Sequence, residues 1–139
     1  MIKTFIKPMI YDKNRSERAE QIAGGTYKNF DYYVLNLKTY PTAYVDVTNS
    51  PLNGVFYDDI NISCHGGLTY SEKTLRTVDK KGWFIGWDYA HYGDYMDYGD
   101  VFFNNMFQYK KKWTTEEIVE ECKNVIDQIV ANYYNEVKK

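Results

Sequence analysis

Arginine is scarce in this chain. The 17 basic residues include only Arg15, Arg18 and Arg76 as arginines, a poor supply of the bidentate forks that phosphate clamps favour. Excess positive charge is missing too: the formal net charge is -2, so the chain lacks the broad field that general nucleic-acid binding requires. Two cysteines, Cys64 and Cys122, are too few for a disulfide framework. No apolar run approaches the roughly 18 residues of a membrane span. Lys3 and Lys7 interrupt the apolar pattern of the first eleven residues, which argues against a secretory signal. A reducing cytoplasm, that of a bacterial host cell, is the expected location.

What is abundant is tyrosine, at 15 of 139 residues. Lys, Asn, Ile and Phe are also common, and AT-rich codons supply all five, which suggests an AT-rich bacterial, phage or plasmid genome. At 44% hydrophobic and 26% charged residues, the composition is globular and the length fits one domain, residues 1–139. Loose alternation predicts strands over residues 2–7, 30–37, 43–47, 60–64 and 83–87. Residues 12–20 read as a charged exposed helix or loop, closed by Gly24-Gly25. Residues 72–81 read as a charged, mobile segment, and residues 101–103 as a short strand or helical turn.

The clearest element is the last. Thr114 and Glu117 form a capping box. Ile118, Cys122, Val125, Ile126, Ile129, Tyr133 and Val137 then recur at three- and four-residue spacing, which predicts a helix over residues 115–136. The expected class is α+β: a mostly antiparallel sheet of four to five strands with a long C-terminal helix packed on one face.

Six of the nine glycines and both histidines fall within residues 60–100. His65-Gly66-Gly67 follows a predicted strand, with the hydroxyls of Thr69, Tyr70 and Ser71 after it. Paired glycines allow positive φ and free N–H groups toward an anion; the plain alternative is a tight turn. Trp87-Asp88-Tyr89-Ala90-His91-Tyr92-Gly93-Asp94 places carboxylates three residues before and after an imidazole. That spacing suits a shared site, or a loop in which Asp88 caps a turn and His91 is exposed. If the two strands are neighbours running the same way, both histidines open onto one rim; if they run antiparallel, they lie at opposite ends of the sheet.

A metal would recruit Cys64, His65, Asp88, His91 and Asp94, types that suit zinc. Their spacing matches no recognised ligand pattern, so the expectation is no metal and no cofactor. Nucleophilic catalysis would need Cys64, Ser63 or Ser71 beside a histidine and an acid, and nothing in the sequence fixes that geometry; no catalytic residue is assigned. Tyr89, Tyr92, Tyr95 and Tyr98 recur every third residue among Asp88, Asp94, Asp97 and Asp100. This acidic, aromatic loop suits a protein-binding patch, or a solvated loop whose tyrosines fold back on the sheet.

The strings His65-Gly66-Gly67-Leu68-Thr69-Tyr70-Ser71 and Gly86-Trp87-Asp88-Tyr89-Ala90-His91-Tyr92-Gly93-Asp94, followed by a terminal helix, resemble a family of small phage and prophage proteins to which no function is assigned. The resemblance covers about residues 40–130. It implies provenance, and signature positions at His65, Gly66, Gly67, Thr69, Tyr70, Asp88, His91, Gly93 and Asp94.

The expected function is that of a phage-type accessory protein that counteracts bacterial defence by binding. In the preferred form it sequesters a small polar, nucleotide-derived immune signal. The ligand site would comprise His65, Gly66, Gly67, Thr69, Tyr70, Trp87, Asp88, His91 and Asp94, with Lys73, Arg76, Lys80 and Lys81 as the nearest cations. The alternative is an anti-CRISPR-like inhibitor that binds a host defence protein through Tyr92, Asp94, Tyr95, Asp97, Tyr98 and Asp100. A small metal-assisted hydrolase is the third reading, so enzymatic activity is left open. A homo-oligomer is compatible with any of them.

Overall fold

The computed structural model describes residues 2–11, 19–37, 39–96 and 110–134. Its strands are β1 (Phe5–Ile6), β2 (Glu20–Tyr27), β3 (Phe30–Asn36), β4 (Pro41–Asp46), β5 (Tyr70–Leu75) and β6 (Lys80–Asp88), and its helix is α1 (Thr115–Tyr133). The strands form one antiparallel sheet in the order β1-β2-β3-β4-β6-β5. The α+β class and the C-terminal helix match expectation; the sheet has six strands rather than four or five. No helix among the described residues is long and apolar enough to cross a membrane.

Two of the six strands, β2 and β5, fall where no strand is expected. Gly24-Gly25 reads as a loop in sequence, yet both glycines lie inside β2. The tyrosine opposite explains it. Gly25 pairs with Tyr32, and a Cβ at Gly25 would collide with the Tyr32 phenol. An aromatic laid over a cross-strand glycine restores the packing that a strand glycine lacks. β2 turns into β3 through Lys28 (φ 49°) and Asn29 (φ 69°), a two-residue loop with the positive φ pair of a type I′ turn.

The segment 72–81 is also ordered structure: β5, a short 3-10 turn at Arg76–Val78 and the start of β6. Glu72, Lys73 and Thr74 are exposed on β5, the outer strand. Charge on an edge strand discourages pairing with another sheet, so the polarity that looked like a loop is that of a protected edge.

Residues 60–64 are not a strand of the sheet. Their alternation is nonetheless meaningful, because Ile60, Ile62 and Cys64 pack on the main core. The backbone between them is satisfied by α1 instead of by a neighbouring strand. Asn61 N–H donates to Tyr133 Oη at 2.7 Å and Ser63 N–H to Gln128 Oε1 at 2.8 Å. Asn132 Nδ2 and Gln128 Nε2 donate back to the Asn61 and Ser63 carbonyls. The segment therefore runs antiparallel to the helix and ends near its first turns.

The helix begins at the expected capping box, with both reciprocal hydrogen bonds formed. Ile118, Cys122, Val125, Ile126 and Ile129 are buried against Ile22, Tyr32, Val34, Ala43, Val45, Ile85 and Trp87 of the sheet. The opposite sheet face holds a second cluster: Tyr33, Leu35, Tyr44, Leu75 and Phe84, with Tyr70 beside it. The predicted element at 101–103 and the end of the helix beyond Tyr134 lie outside the described residues.

These assignments make the helix a packing element first and a capped element second. Ile126→Ala is expected to cost about 2–5 kcal/mol through the cavity it leaves. Thr114→Ala should cost about 1 kcal/mol. Urea denaturation followed by circular dichroism measures both, and equal losses would contradict this division.

Candidate functional site

Two turns and a short lysine-bearing segment meet at the edge where β6 ends. The first turn is closed by the Gly67 N–H to the Cys64 carbonyl at 2.9 Å. Glu121 of α1 positions it, accepting the His65 backbone N–H at 3.0 Å. The second turn follows β6, with Asp94 N–H donating to the His91 carbonyl at 2.9 Å. The third arm is a parallel bridge between Asp94 and Lys111. Lys111 N–H donates to Gly93 O, and Tyr95 N–H to Lys111 O, each at 2.8 Å. It leads directly into Trp113 and α1.

The Asp94 carboxylate joins the three arms. It is only 2% exposed. His65 Nε2–H donates to Oδ2 at 2.8 Å, and the His91 backbone N–H reaches the same oxygen at 3.0 Å. Trp113 Nε1–H donates to Oδ1 at 2.8 Å. Burial works to raise the Asp94 pKa, but these hydrogen bonds outweigh it and hold the carboxyl below its ordinary value. At neutral pH it is a buried anion, satisfied by three donors.

The imidazoles lie with ring centroids 5.5 Å apart and edge to face. His65 stacks on Tyr89 at 4.6 Å, with planes 9° apart, and Trp113 lies against its ring at 4.8 Å. The His91 ring sits over Gly66. That residue has φ 69°, and a Cβ there would run into the imidazole, so the glycine serves both the turn and the close approach. His91 Nδ1 is buried and makes no hydrogen bond. It stands 3.5 Å from Asp88 Oδ1 and 3.6 Å from Asp94 Oδ2. Asp88 is itself held by Ala90 N–H and by Thr69 Oγ1–H.

His65, Gly66, Thr69, Asp88, His91 and Asp94 are thus gathered at one edge, and Gly67 closes the first turn. Two residues of the expected ligand site are placed elsewhere. Trp87 is 1% exposed, within the core beneath the helix, because its position on β6 faces inward. Tyr70 belongs to the opposite sheet face, with its ring 5.0 Å from that of Tyr44 and its hydroxyl on the Thr74 carbonyl. In the tyrosine and aspartate loop, Tyr92 is 98% exposed, whereas Asp94 and Tyr95 are buried. Asp97, Tyr98 and Asp100 lie outside the described residues.

The cations also differ from expectation. Lys80 and Lys81 open β6, so they stand roughly 25 Å from the site at about 3.3 Å per strand residue. Lys110, Lys111 and Lys112 are the ones brought alongside. Lys110 Nζ lies 3.7 Å from the Tyr92 ring centroid, Lys111 Nζ 4.1 Å from that of Trp113, and Lys112 Nζ 4.6 Å from that of Tyr95. Lys111 also pairs with Glu117 at 2.7 Å.

The site residues missed in sequence are Trp113, Glu121 and the lysine trio. Glu121 carried a signal: with Gln128 and Asn132 it falls at i, i+7 and i+11, a polar stripe bordering the apolar one. Trp113 and the lysines carried none, because a single bridge between distant segments brings them in.

The clamp has measurable consequences. Asp94→Ala is expected to cost about 3–5 kcal/mol, since it strips a buried network of its acceptor. Gly66→Ala should cost about 1–2 kcal/mol through positive φ alone. Because the folded-state pKa of Asp94 is depressed, its contribution is complete above the ordinary carboxylate value and is lost as pH falls through the depressed one. Asp94→Asn should therefore flatten the stability curve below about pH 4, and an unchanged acid limb would contradict the clamp. No family model, curated protein or solved structure gives a significant match to this chain.

Proposed function

We propose that this chain binds a small anionic ligand of nucleotide type at the edge formed by the two histidine turns, and acts by holding that ligand. In this reading it is a phage-type accessory protein that blunts bacterial defence by sequestering a nucleotide-derived immune signal. The supporting observation is that both imidazoles, the exposed Tyr92 and the trio Lys110, Lys111 and Lys112 converge on one edge. Ammonium groups and imidazoles suit phosphate. The open face of Tyr92 suits a base, since base–aromatic stacking contributes about 1–3 kcal/mol. The Asp88 carboxylate retains lone pairs for ribose hydroxyls. Cys64 is a poor nucleophile here, because burial pushes its thiol up to about 12.

The protein-binding alternative is less favoured. It relied on a run of exposed tyrosines and aspartates, and Asp94 and Tyr95 are interior.

Calorimetry against cyclic and ADP-ribose-type nucleotides tests the proposal. One member of the panel should bind with one site per chain and be recovered chemically intact. Tyr92→Ala and Lys110→Ala should each weaken binding about 5- to 100-fold, as expected for loss of a stacking or charged contact. Absence of binding across the panel would sink the reading, and recovery of a converted nucleotide would replace it with an enzyme.

A further inference from the structure

We propose that His65, His91 and Asp94 form a binding site for a divalent first-row transition ion, zinc foremost. Two imidazoles and one carboxylate each offer a ligand atom here, and these atoms all lie within 4.8 Å of one another. Around a tetrahedral zinc, with bonds of about 2.0–2.1 Å, neighbouring ligand atoms are separated by about 3.3 Å. Two of the three separations bracket that value, 2.8 Å from His65 Nε2 to Asp94 Oδ2 and 3.6 Å from Asp94 Oδ2 to His91 Nδ1, and the third is within 4.8 Å. Small side-chain shifts convert the cluster into a coordination shell.

His91 supplies an independent reason. Its Nδ1 is buried and without a hydrogen bond, a costly state for a polar atom. It faces carboxylate oxygens of Asp88 and Asp94 at 3.5 and 3.6 Å, too far for good hydrogen bonds but close to the spacing of atoms that share an ion. A metal at their centre gives that nitrogen a partner.

The surroundings are those of a supported metal site. Trp113 Nε1–H holds Asp94 Oδ1, so Oδ2 is left facing the imidazoles. Tyr89 and Trp113 fix the His65 ring, and Gly66 seats that of His91. Such outer contacts orient ligands and typically change affinity 10- to 100-fold. Nitrogen ligands disfavour calcium and magnesium. Three protein ligands leave one position of a tetrahedral shell for water or an outside ligand. This inference rests on the geometry of the cluster and does not depend on the nucleotide reading.

The test uses the untagged 139-residue chain stripped with chelator. Titration with Zn²⁺ should show one equivalent bound per chain, and Co²⁺ should give a visible ligand-field absorption band. The chain has only two histidines, so their ring protons report directly: Zn²⁺ should shift both His65 and His91 resonances together. His91→Ala should lose stoichiometric binding, and Trp113→Phe should weaken it about 10- to 100-fold, with circular dichroism verifying that each remains folded. Failure of the folded wild-type chain to take up one equivalent would overturn the proposal, as would shifts confined to one histidine or none. The wild-type resonances decide the matter even if a variant does not fold. Repeating the nucleotide calorimetry with and without chelator separates the claims: nucleotide binding without metal uptake defeats only the metal site, and metal uptake without nucleotide binding defeats only the proposed function.

Discussion

A single buried carboxylate ties the functional edge of this protein together. Asp94 accepts hydrogen bonds from the His65 ring, the His91 backbone and the Trp113 indole. Those donors come from three separate stretches of chain, and the carboxylate is the one group bonded to all three. A buried anion is tolerated only where its lone pairs are filled, so the three arms are held as a unit or the charge is stranded. The same requirement makes the site rigid: His65 is further packed against both Tyr89 and Trp113, which touch each other, and His91 rests on a residue without a side chain.

The helix contributes twice to this arrangement. Its apolar stripe closes the core over the sheet. Its polar border, Glu121, Gln128 and Asn132, takes the place of a partner strand for residues 61–65. That border delivers the His65 turn to the edge where β6 delivers His91. Fold stability and site geometry therefore share one element, and its register along the sheet sets where the first histidine stands.

Much of the scaffold was legible from local chemistry. The capping box and the heptad-like stripe specify the helix without tertiary information, and the Ala43, Val45, Val47 face is the one that joins the helix in the main core. Errors arose where a residue's meaning depends on a distant neighbour. Gly25 belongs to a strand only because Tyr32 lies across it. The alternation of residues 60–64 reports which side is apolar, but not whether a strand or a helix's side chains satisfy the backbone. Both histidine strings were visible as unusual. Their convergence was not, because it depends on where two chain segments end, and the placement of Trp87 in the core and of Tyr70 on the opposite face follows from the sheet's facing, which no local string carries.

The most direct measurement of this account is the nuclear Overhauser spectrum of the imidazole protons. The ring centroids are 5.5 Å apart, so a cross-peak between His65 and His91 is expected in the wild-type chain. It should vanish in Asp94→Ala while contacts between the Ile126 methyls and the sheet persist. Absence of the cross-peak in the wild type, or its survival without the carboxylate, would contradict the claim that Asp94 assembles the site.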